Sequence, residues 1–403
     1  MTARWVAPPA VVPGRERPRL VHLTTTDMSL DWLLRPQLEA FADAGYEVIG
    51  IAAPAGHAGA LAASGVEVVA LPEATRSVDL RRDLGAFGSL VGHLRRLRPD
   101  ILHTHNPKPG VYGRLAGRVA GVPVVVNTQH GLFATAEDRP TKRAVVYVAE
   151  RLAAACSQAE LVQNPDDLAT LRRLRVPDER LTLLGNGVDL AHFTADSVDS
   201  GTRARVRAEL GVADDEVLVG AVGRLVWEKG LAEVFAAAVS LRAIRPQVRV
   251  VVVGPSDDEK ADGLQPSDVA RATADGGVSF LGRRTDVADL YAAMDVYVLA
   301  SHREGFPRSA MEAVAMGLPI VTTDARGCRE VVVHERTGLR VPVGDAVALT
   351  DAIALLADDP ARRHAMGRAG VDLARERFDQ QVVIDRTLAT YDRLLRRAAR
   401  SST

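Results

Sequence analysis

Short runs of branched apolar residues recur along this chain, with helical patterns between them, and that alternation restricts the fold more than any other feature. Strands separated by helices pair in parallel, because a helix is the usual connection between parallel neighbours. In the first half the runs lie near Leu20–Thr24, Val48–Ala52, Val66–Leu71, Ile101–His105, Val124–Thr128 and Leu161–Asn164. In the second they lie near Val217–Val222, Val248–Val253, Val278–Leu281, Tyr297–Ala300 and Ile320–Thr323. Leu34, Leu38, Phe41 and Ala42 make one apolar stripe of an intervening helix, and further helices are predicted from about Arg82 to Arg98 and Lys142 to Ala155. Three helices close the chain, the last from about Gln381 to Arg397.

A chain of 403 residues exceeds what one core usually serves, so two domains of about 180 to 200 residues each are expected. The turn cluster Gly185-Asn186-Gly187 ends the first half, and the boundary is expected between Phe193 and Asp215. We read residues 1–17 as a loose tail, 18–195 and 196–378 as two Rossmann-like domains, and 379–403 as a terminal helix. The Pro-interrupted N-terminus lacks the continuous apolar core of a secretory signal, and no apolar run has the length of a membrane span. Cys156 and Cys328 fall in different halves and are expected as free thiols of a reducing cytoplasm. A net charge of −1 gives no general attraction to nucleic acid or to an anionic membrane.

Chemistry concentrates in Glu304-Gly305-Phe306-Pro307-Arg308-Ser309-Ala310-Met311-Glu312. Pro307 suits the start of a helix, where its missing N–H costs nothing, and Gly317-Leu318-Pro319 ends that helix. Glu304 is thus expected in the loop after a buried strand. Glu312 is expected two turns into a helix of Ala, Val and Met, where a carboxylate is costly unless something binds it. The competing reading is a Glu that favours the helix dipole and another that meets water.

A second signal is Gly223-Arg224-Leu225-Val226-Trp227-Glu228-Lys229-Gly230, set between a strand and a helix that opens at Gly230-Leu231. Such turns hold phosphates through backbone N–H groups and the helix dipole, and Arg224 and Lys229 add two positive charges. The segment is neither a dinucleotide fingerprint nor a P-loop. Nearly all of the 50 basic residues are Arg, which singles out a Lys at this mouth, although a solvated surface Lys is the plain alternative. Glu304, Arg224, Gly254, Gly282, Thr24, His105 and His130 all follow proposed strands, where open α/β sheets bind ligands. Two such sheets facing one another would bring these ends to one cleft.

Together these segments closely resemble the retaining glycosyltransferases of the GT-B fold, in the large family with the Glu-x7-Glu motif. The match is carried by Gly223-Arg224, Lys229-Gly230, Phe280-Leu281-Gly282, Glu304 to Pro307, Glu312-Ala313, Gly317-Leu318-Pro319, Gly327-Cys328-Arg329-Glu330 and Thr337-Gly338-Leu339. In the first half it is carried by His103-Thr104-His105-Asn106-Pro107-Lys108, His130-Gly131 and Gly185-Asn186-Gly187-Val188-Asp189. The resemblance implies an acceptor-binding first domain, a nucleotide-sugar-binding second domain facing it across a cleft, and a final helix that crosses back to the first. It implies that Glu304 binds hydroxyls of the donor sugar, with backbone at Gly305 and Phe306 beside it, and that Glu312 takes both ribose hydroxyls. Main chain at Gly282 and Arg283 would meet the base, and His130 would sit near the donor sugar or its phosphates.

On chemical grounds Arg224 and Lys229 would hold the diphosphate charge as it develops, and amides around Arg308 and Ser309 would add donors, with Gly223 and Pro307 shaping the site. Thr25, Thr26, His105 and Asn106 are candidates for the acceptor side or its loop, and the apolar Met28, Leu30, Trp32, Leu33 and Leu34 fit either lipid contact or packing. His103 and His105 share a strand face as two metal ligands would, but no nearby Asp, Glu or Cys completes the set, so no metal or other cofactor is expected. Paired carboxylates also fit a glycoside hydrolase, which has no need of a phosphate site. The reading is a cytoplasmic, metal-independent, retaining glycosyltransferase. It would move a hexose or N-acetylhexosamine from a nucleotide sugar, UDP-linked by preference, to a glycan, lipid-linked or small-molecule acceptor. A peripheral contact with the inner membrane face and a homodimer are left open. The alternatives are an epimerase of the same fold or a non-catalytic nucleotide-sugar-binding protein.

Overall fold

The computed structural model describes residues 16–75, 79–105, 107–135, 138–257 and 260–401. The chain divides into two compact units, one of residues 1–184 with 383–403 and the other of residues 185–382. The tail expected over 1–17 lies almost wholly outside the described residues. The second unit begins earlier than the division read from the sequence. Val188 N–H donates to Phe378 O (2.9 Å) and Gln380 N–H to Val188 O (3.1 Å), which ties the Gly185–Asp189 segment into that unit.

The first unit is a seven-stranded parallel sheet: β1 (Arg19–Thr26), β2 (Glu47–Ala53), β3 (Glu67–Ala70), β4 (Ile101–His105), β5 (Val124–Gln129), β6 (Ala159–Val162) and β7 (Leu181–Leu183), in the order β3-β2-β1-β4-β5-β6-β7. Alternate residues of each strand serve opposite faces. Leu20, Ile101, Val124 and Val126 pack with Leu34, Leu38 and Phe41 on one face, and Val21, Leu23 and Leu102 pack with Leu90, Leu94 and Ala116 on the other. The last helix, Gln380–Ser401, adds Val383, Ile384, Leu388, Tyr391, Leu394 and Leu395 to the first of these cores.

On the second face the apolar pattern breaks. Arg114, on the helix Pro107–Ala120, is fully buried and donates to Glu160 Oε1 (2.8 Å) and Glu150 Oε2 (2.6 Å). Asn127 Nδ2 donates to Glu160 Oε2 (2.8 Å) and Gln129 Nε2 to Glu150 Oε2 (2.8 Å), so the buried carboxylates are satisfied from both β5 and the Arg114 helix. Burial opposes the charge on Arg114, but the two carboxylates outweigh it and raise its pKa.

The second unit carries a six-stranded parallel sheet: β8 (Val217–Val222), β9 (Val248–Val253), β10 (Ser279–Phe280), β11 (Val296–Leu299), β12 (Ile320–Thr323) and β13 (Gly338–Val341), in the order β10-β9-β8-β11-β12-β13. Valine, leucine and alanine fill its strands because helices cover both faces. In each sheet the strand order reverses at one pair, β1/β4 in the first and β8/β11 in the second. The crevice beyond the carboxyl ends of such a pair is where doubly wound sheets bind ligands.

Candidate functional site

In the second unit the two signals read from the sequence meet at the β8/β11 reversal. After β8 the chain makes the loop Gly223–Gly230, with one 3-10 turn over Trp227–Lys229, before the helix Leu231–Ile244. Gly230 is held at φ 70°, and a Cβ there would lie 1.9 Å from the carbonyl oxygen of Ala300 at the end of β11. No other residue fits both conditions. This close approach presses the lysine loop onto the glutamate loop. Lys229 Nζ lies 2.5 Å from Glu304 Oε1, and Ser301 Oγ donates to the same oxygen at 2.8 Å. Glu304 N–H donates to Arg326 O (3.2 Å), which fixes the backbone that carries the carboxylate.

Arg224 pairs with Asp257, while its side chain stays 42% exposed. Glu228, which no sequence signal marked, accepts from Lys260 Nζ (2.7 Å) and Arg303 Nη2 (2.7 Å). Burial would raise its pKa, but hydrogen bonds and charge from Lys260 and Arg303 bring it to about 2. Glu228 therefore fixes two cations beside Lys229 and stays ionised.

The helix after Glu304 runs Arg308–Ala315, with Pro307 as its N-cap and Gly317 at φ 81° beyond its end. Glu312 therefore lies little more than one turn in, not two, because the helix opens after Pro307 and not before it. Its Oε2 accepts from Tyr291 Oη (3.1 Å), whose hydroxyl also lies 3.1 Å from Ser309 O. Ser309 Oγ sits 2.7 Å from the hydroxyl of Tyr297. Burial raises the pKa of Glu312, and the charge of Arg308 opposes that rise. Phe306 O accepts from Asn186 Nδ2 (3.2 Å), which accounts for the Gly185–Asp189 motif as a brace on this loop. Gly282 adopts φ 62° after β10, and its carbonyl accepts from Gly254 N–H (2.8 Å), so the Gly282-Arg283 turn is held beside the end of β9.

One set of residues is thus brought together: Gly223, Arg224, Lys229, Glu304 to Ser309 and Glu312. Tyr291, Ser301, Asp257 and Glu228 join them and were not found from the sequence. Ser301 could have been, since it follows Ala300 just beyond the end of β11; Tyr291 and Asp257 carry no pattern of their own.

In the first unit the reversal lies between β1 and β4, and histidines gather there. β1 pairs with β4 so that His22 stands opposite His103, and His105 is two residues further on the same face. The His103 and His105 rings stack with centroids 4.2 Å apart. His22 Nδ1 lies 2.9 Å from His105 Nε2, and His105 Nδ1 lies 3.0 Å from His130 Nε2. His103 pairs with Tyr391 Oη through Nδ1 and with Thr128 Oγ1 (2.7 Å) through Nε2. Burial holds the His22 pKa down at about 3 and that of His130 at about 4, and it lowers His103 and His105 as well.

Ring nitrogens of His22, His103 and His105 lie within 4.8 Å of one another, the spacing of a ligand set. All but one of the six nitrogens already has a partner. His105 is 1% exposed, so it reaches a ligand only through His130, which is half-buried. Asn106 lies outside the described residues.

Thr25 and Thr26 end β1, half-buried, and a helical segment begins at Asp27, where the sequence suggested a loop through Ser29. The cause is Asp27: it is buried and its carboxylate accepts from Ala55 N–H (2.7 Å) and His57 N–H (3.1 Å), anchoring the helix start. Over Leu30–Leu34 the backbone makes a π turn, which buries Leu30 and Leu34 in the core and turns Trp32 and Leu33 outward. Among the described residues no helix is long and apolar enough to cross a membrane.

Comparison with known proteins adds to this geometry. The family profile described as glycosyl transferases group 1 matches residues 202–372, and a glycosyl transferase 4-like domain matches residues 31–187. An Escherichia coli UDP-Gal:alpha-D-GlcNAc-diphosphoundecaprenol alpha-1,3-galactosyltransferase is 30% identical over 72% of this chain and 74% of its own. A Campylobacter jejuni N,N'-diacetylbacillosaminyl-diphospho-undecaprenol alpha-1,3-N-acetylgalactosaminyltransferase is 26% identical over 94% of this chain and 99% of its own. Among solved structures, Anabaena HepE in complex with UDP and glucose aligns at a TM-score of 0.78, with 20% identity, over 93% of this chain and 99% of that one.

Two doubly wound sheets of this kind, each with one strand-order reversal, are those of the GT-B fold. The chain belongs to the group 1 glycosyl transferases. These relatives are transferases by name, which favours neither the epimerase nor the non-catalytic binding protein.

Proposed function

We propose that the protein is a retaining glycosyltransferase that moves a hexose or N-acetylhexosamine from a UDP-sugar to a lipid-linked glycan acceptor. The observation that carries this reading is the Lys229–Glu304 pair at 2.5 Å, set at the strand-order reversal just ahead of the helix that carries Glu312. A sugar diphosphate needs a compact positive charge at its leaving group and acceptors at its hydroxyls, and this cluster offers both.

Lys229 stabilises the charge that builds on the diphosphate as the glycosidic bond breaks, and Arg224 assists by exchanging Asp257 for a phosphate oxygen. Glu304 orients Lys229 and accepts from a hydroxyl of the sugar. Glu312 meets the ribose diol, two acceptor oxygens against two O–H donors. Gly223, Gly305, Phe306, Pro307, Arg308 and Ser309 shape the phosphate and sugar subsites, and Gly282 and Arg283 the base subsite. His130, Thr25 and Thr26 serve the first unit's part of the reaction. No metal is required in this scheme, because the cations do the work a divalent ion would do. No carboxylate acts as a covalent nucleophile: the acceptor attacks from the face the diphosphate leaves, and the leaving phosphate takes its proton.

The names of the relatives support this choice of donor and acceptor, since they specify a UDP-sugar, diphosphoundecaprenol-linked acceptors and alpha linkages. An acceptor of that kind would place the enzyme at the inner face of a membrane. The test is incubation with UDP-, GDP- and ADP-hexoses and a polyprenyl-diphosphate sugar, with the anomeric configuration of the product read by proton coupling. An alpha-linked product from an alpha-UDP-sugar is expected. A beta-linked product would refute retention, and an epimerised sugar formed without acceptor would refute transfer.

A further inference from the structure

His22, His105 and His130 form one continuous line, nitrogen to nitrogen, from the core of the first unit to the half-buried loop after β5. A neutral imidazole carries a single N–H, so each hydrogen bond in such a line fixes the next. Only two arrangements exist. In one, His22 donates from Nδ1 to His105, and His105 donates from Nδ1 to His130 Nε2, so that His130 carries its proton on Nδ1. In the other every proton is reversed: His130 donates from Nε2, and His22 is left with its N–H at Nε2.

One feature separates these arrangements. His22 Nε2 is buried without a hydrogen-bond partner. The ring is packed between Phe41, 5.6 Å away and nearly parallel, and His105, 5.1 Å away. A stranded buried N–H is rarer than an under-used acceptor, which favours a bare Nε2. At the other end of the line, His130 meets the Gln163 side chain. The bare His22 Nε2 selects the first arrangement. His103 stands outside the line, since its nitrogens go to Tyr391 and Thr128. No carboxylate is among the groups acting on His22, His105 or His130 that could reverse it.

We propose that His22 and His105 are positioning residues that lock His130 in its Nδ1–H tautomer with Nε2 already engaged. His130 is then barred from acting as a general base, because its one acceptor nitrogen, Nε2, is already engaged by His105. The role in turnover rests on the transferase reading above; the lock itself does not.

The test is a long-range proton–nitrogen correlation spectrum of the full chain with labelled histidine at neutral pH, assigned with His130→Gln and joined to donor-turnover kinetics. Wild type is expected to show His22, His105 and His130 neutral with protons on Nδ1. His22→Phe keeps the stacked ring but removes the first donor; it is expected to give a mixed His130 tautomer and to lower kcat about tenfold with KM for the donor little changed. His22→Asn, whose amide can donate from the place of Nδ1, is expected to restore both. A wild-type His130 with its proton on Nε2 overturns the lock, whatever the kinetics. So does a His22→Phe variant with the wild-type tautomer and kcat, or a His22→Asn variant that fails as fully as His22→Phe. A wild type with the expected spectrum that consumes no nucleotide sugar would sink the transferase reading and leave the lock standing.

Discussion

Lys229 and Glu304 constrain each other: each is held by the other at 2.5 Å, and Ser301 adds a second bond to the same carboxylate oxygen. Lys229→Ala is expected to lower kcat/KM for the donor by about a hundredfold or more, as removal of one charge-stabilising donor commonly does. Lys229→Arg should not restore it, because a planar fork cannot take the place of a compact ammonium between Glu304 and a phosphate. Steady-state kinetics with the preferred donor checks both. Glu312 gives a pH dependence. Burial raises its pKa, and in the proposed scheme it is the ionised form that accepts two ribose hydroxyls. Nucleotide affinity should therefore be full above that raised pKa and fall as pH drops through it, sooner than for an ordinary carboxylate. Glu312→Gln should flatten this limb of the affinity profile. At this scale the sequence was most legible for residues that follow strands, since the end of a strand can be read from apolar runs. Tyr291, Asp257 and His22 could not be read, because their roles arise from which strands become neighbours, not from their position in the chain.

Among the elements, β1 and β4 carry histidines on one face of the first sheet, β5 meets an ion network on the other, and each face makes a different prediction. His22 and His130 are held near 3 and 4, below the ordinary histidine value of about 6.5. In the unfolded chain they would bind protons below that value, while in the folded chain they do not. The stability they contribute is thus complete above about pH 6.5 and is lost as pH falls toward their folded values, by about 1.4 kcal/mol per pH unit for each histidine. Thermal unfolding of the first unit followed from pH 7 to pH 4.5 should show Tm dropping steeply; a flat profile would contradict the neutral stack. Arg114→Met should destabilise the unit by about 3 to 5 kcal/mol, because Glu150 and Glu160 would be left buried with no counter-charge. Denaturant titration checks it. Most strands and helices were legible from periodicity to within a few residues. The helical start at Asp27 was not, because it depends on Asp27 bonding Ala55 and His57, nearly thirty residues away.

For the molecule as a whole, the last helix is the element whose removal tells most. It gives the first unit six buried apolar side chains, from Val383 to Leu395. Burial of each is worth about 1.5 to 3 kcal/mol, and the sum rivals the whole stability of a typical domain. A chain ending at Val382 is therefore expected to lose cooperative unfolding of the first unit while the second keeps its own. The two-unit plan was foreseeable from length and from the repeat of strand and helix, but the place of the division was not, because it depends on backbone bonds from Val188 to Phe378 and Gln380. The central claim is that the second unit binds a nucleotide diphosphate through Lys229 and Glu312. Its most direct test is calorimetric titration of wild type, Lys229→Ala and Glu312→Ala with UDP, GDP and ADP. The account predicts that UDP binds wild type and that the heat of binding disappears in both variants. Binding of none of the three nucleotides, or binding that both variants retain, would contradict it.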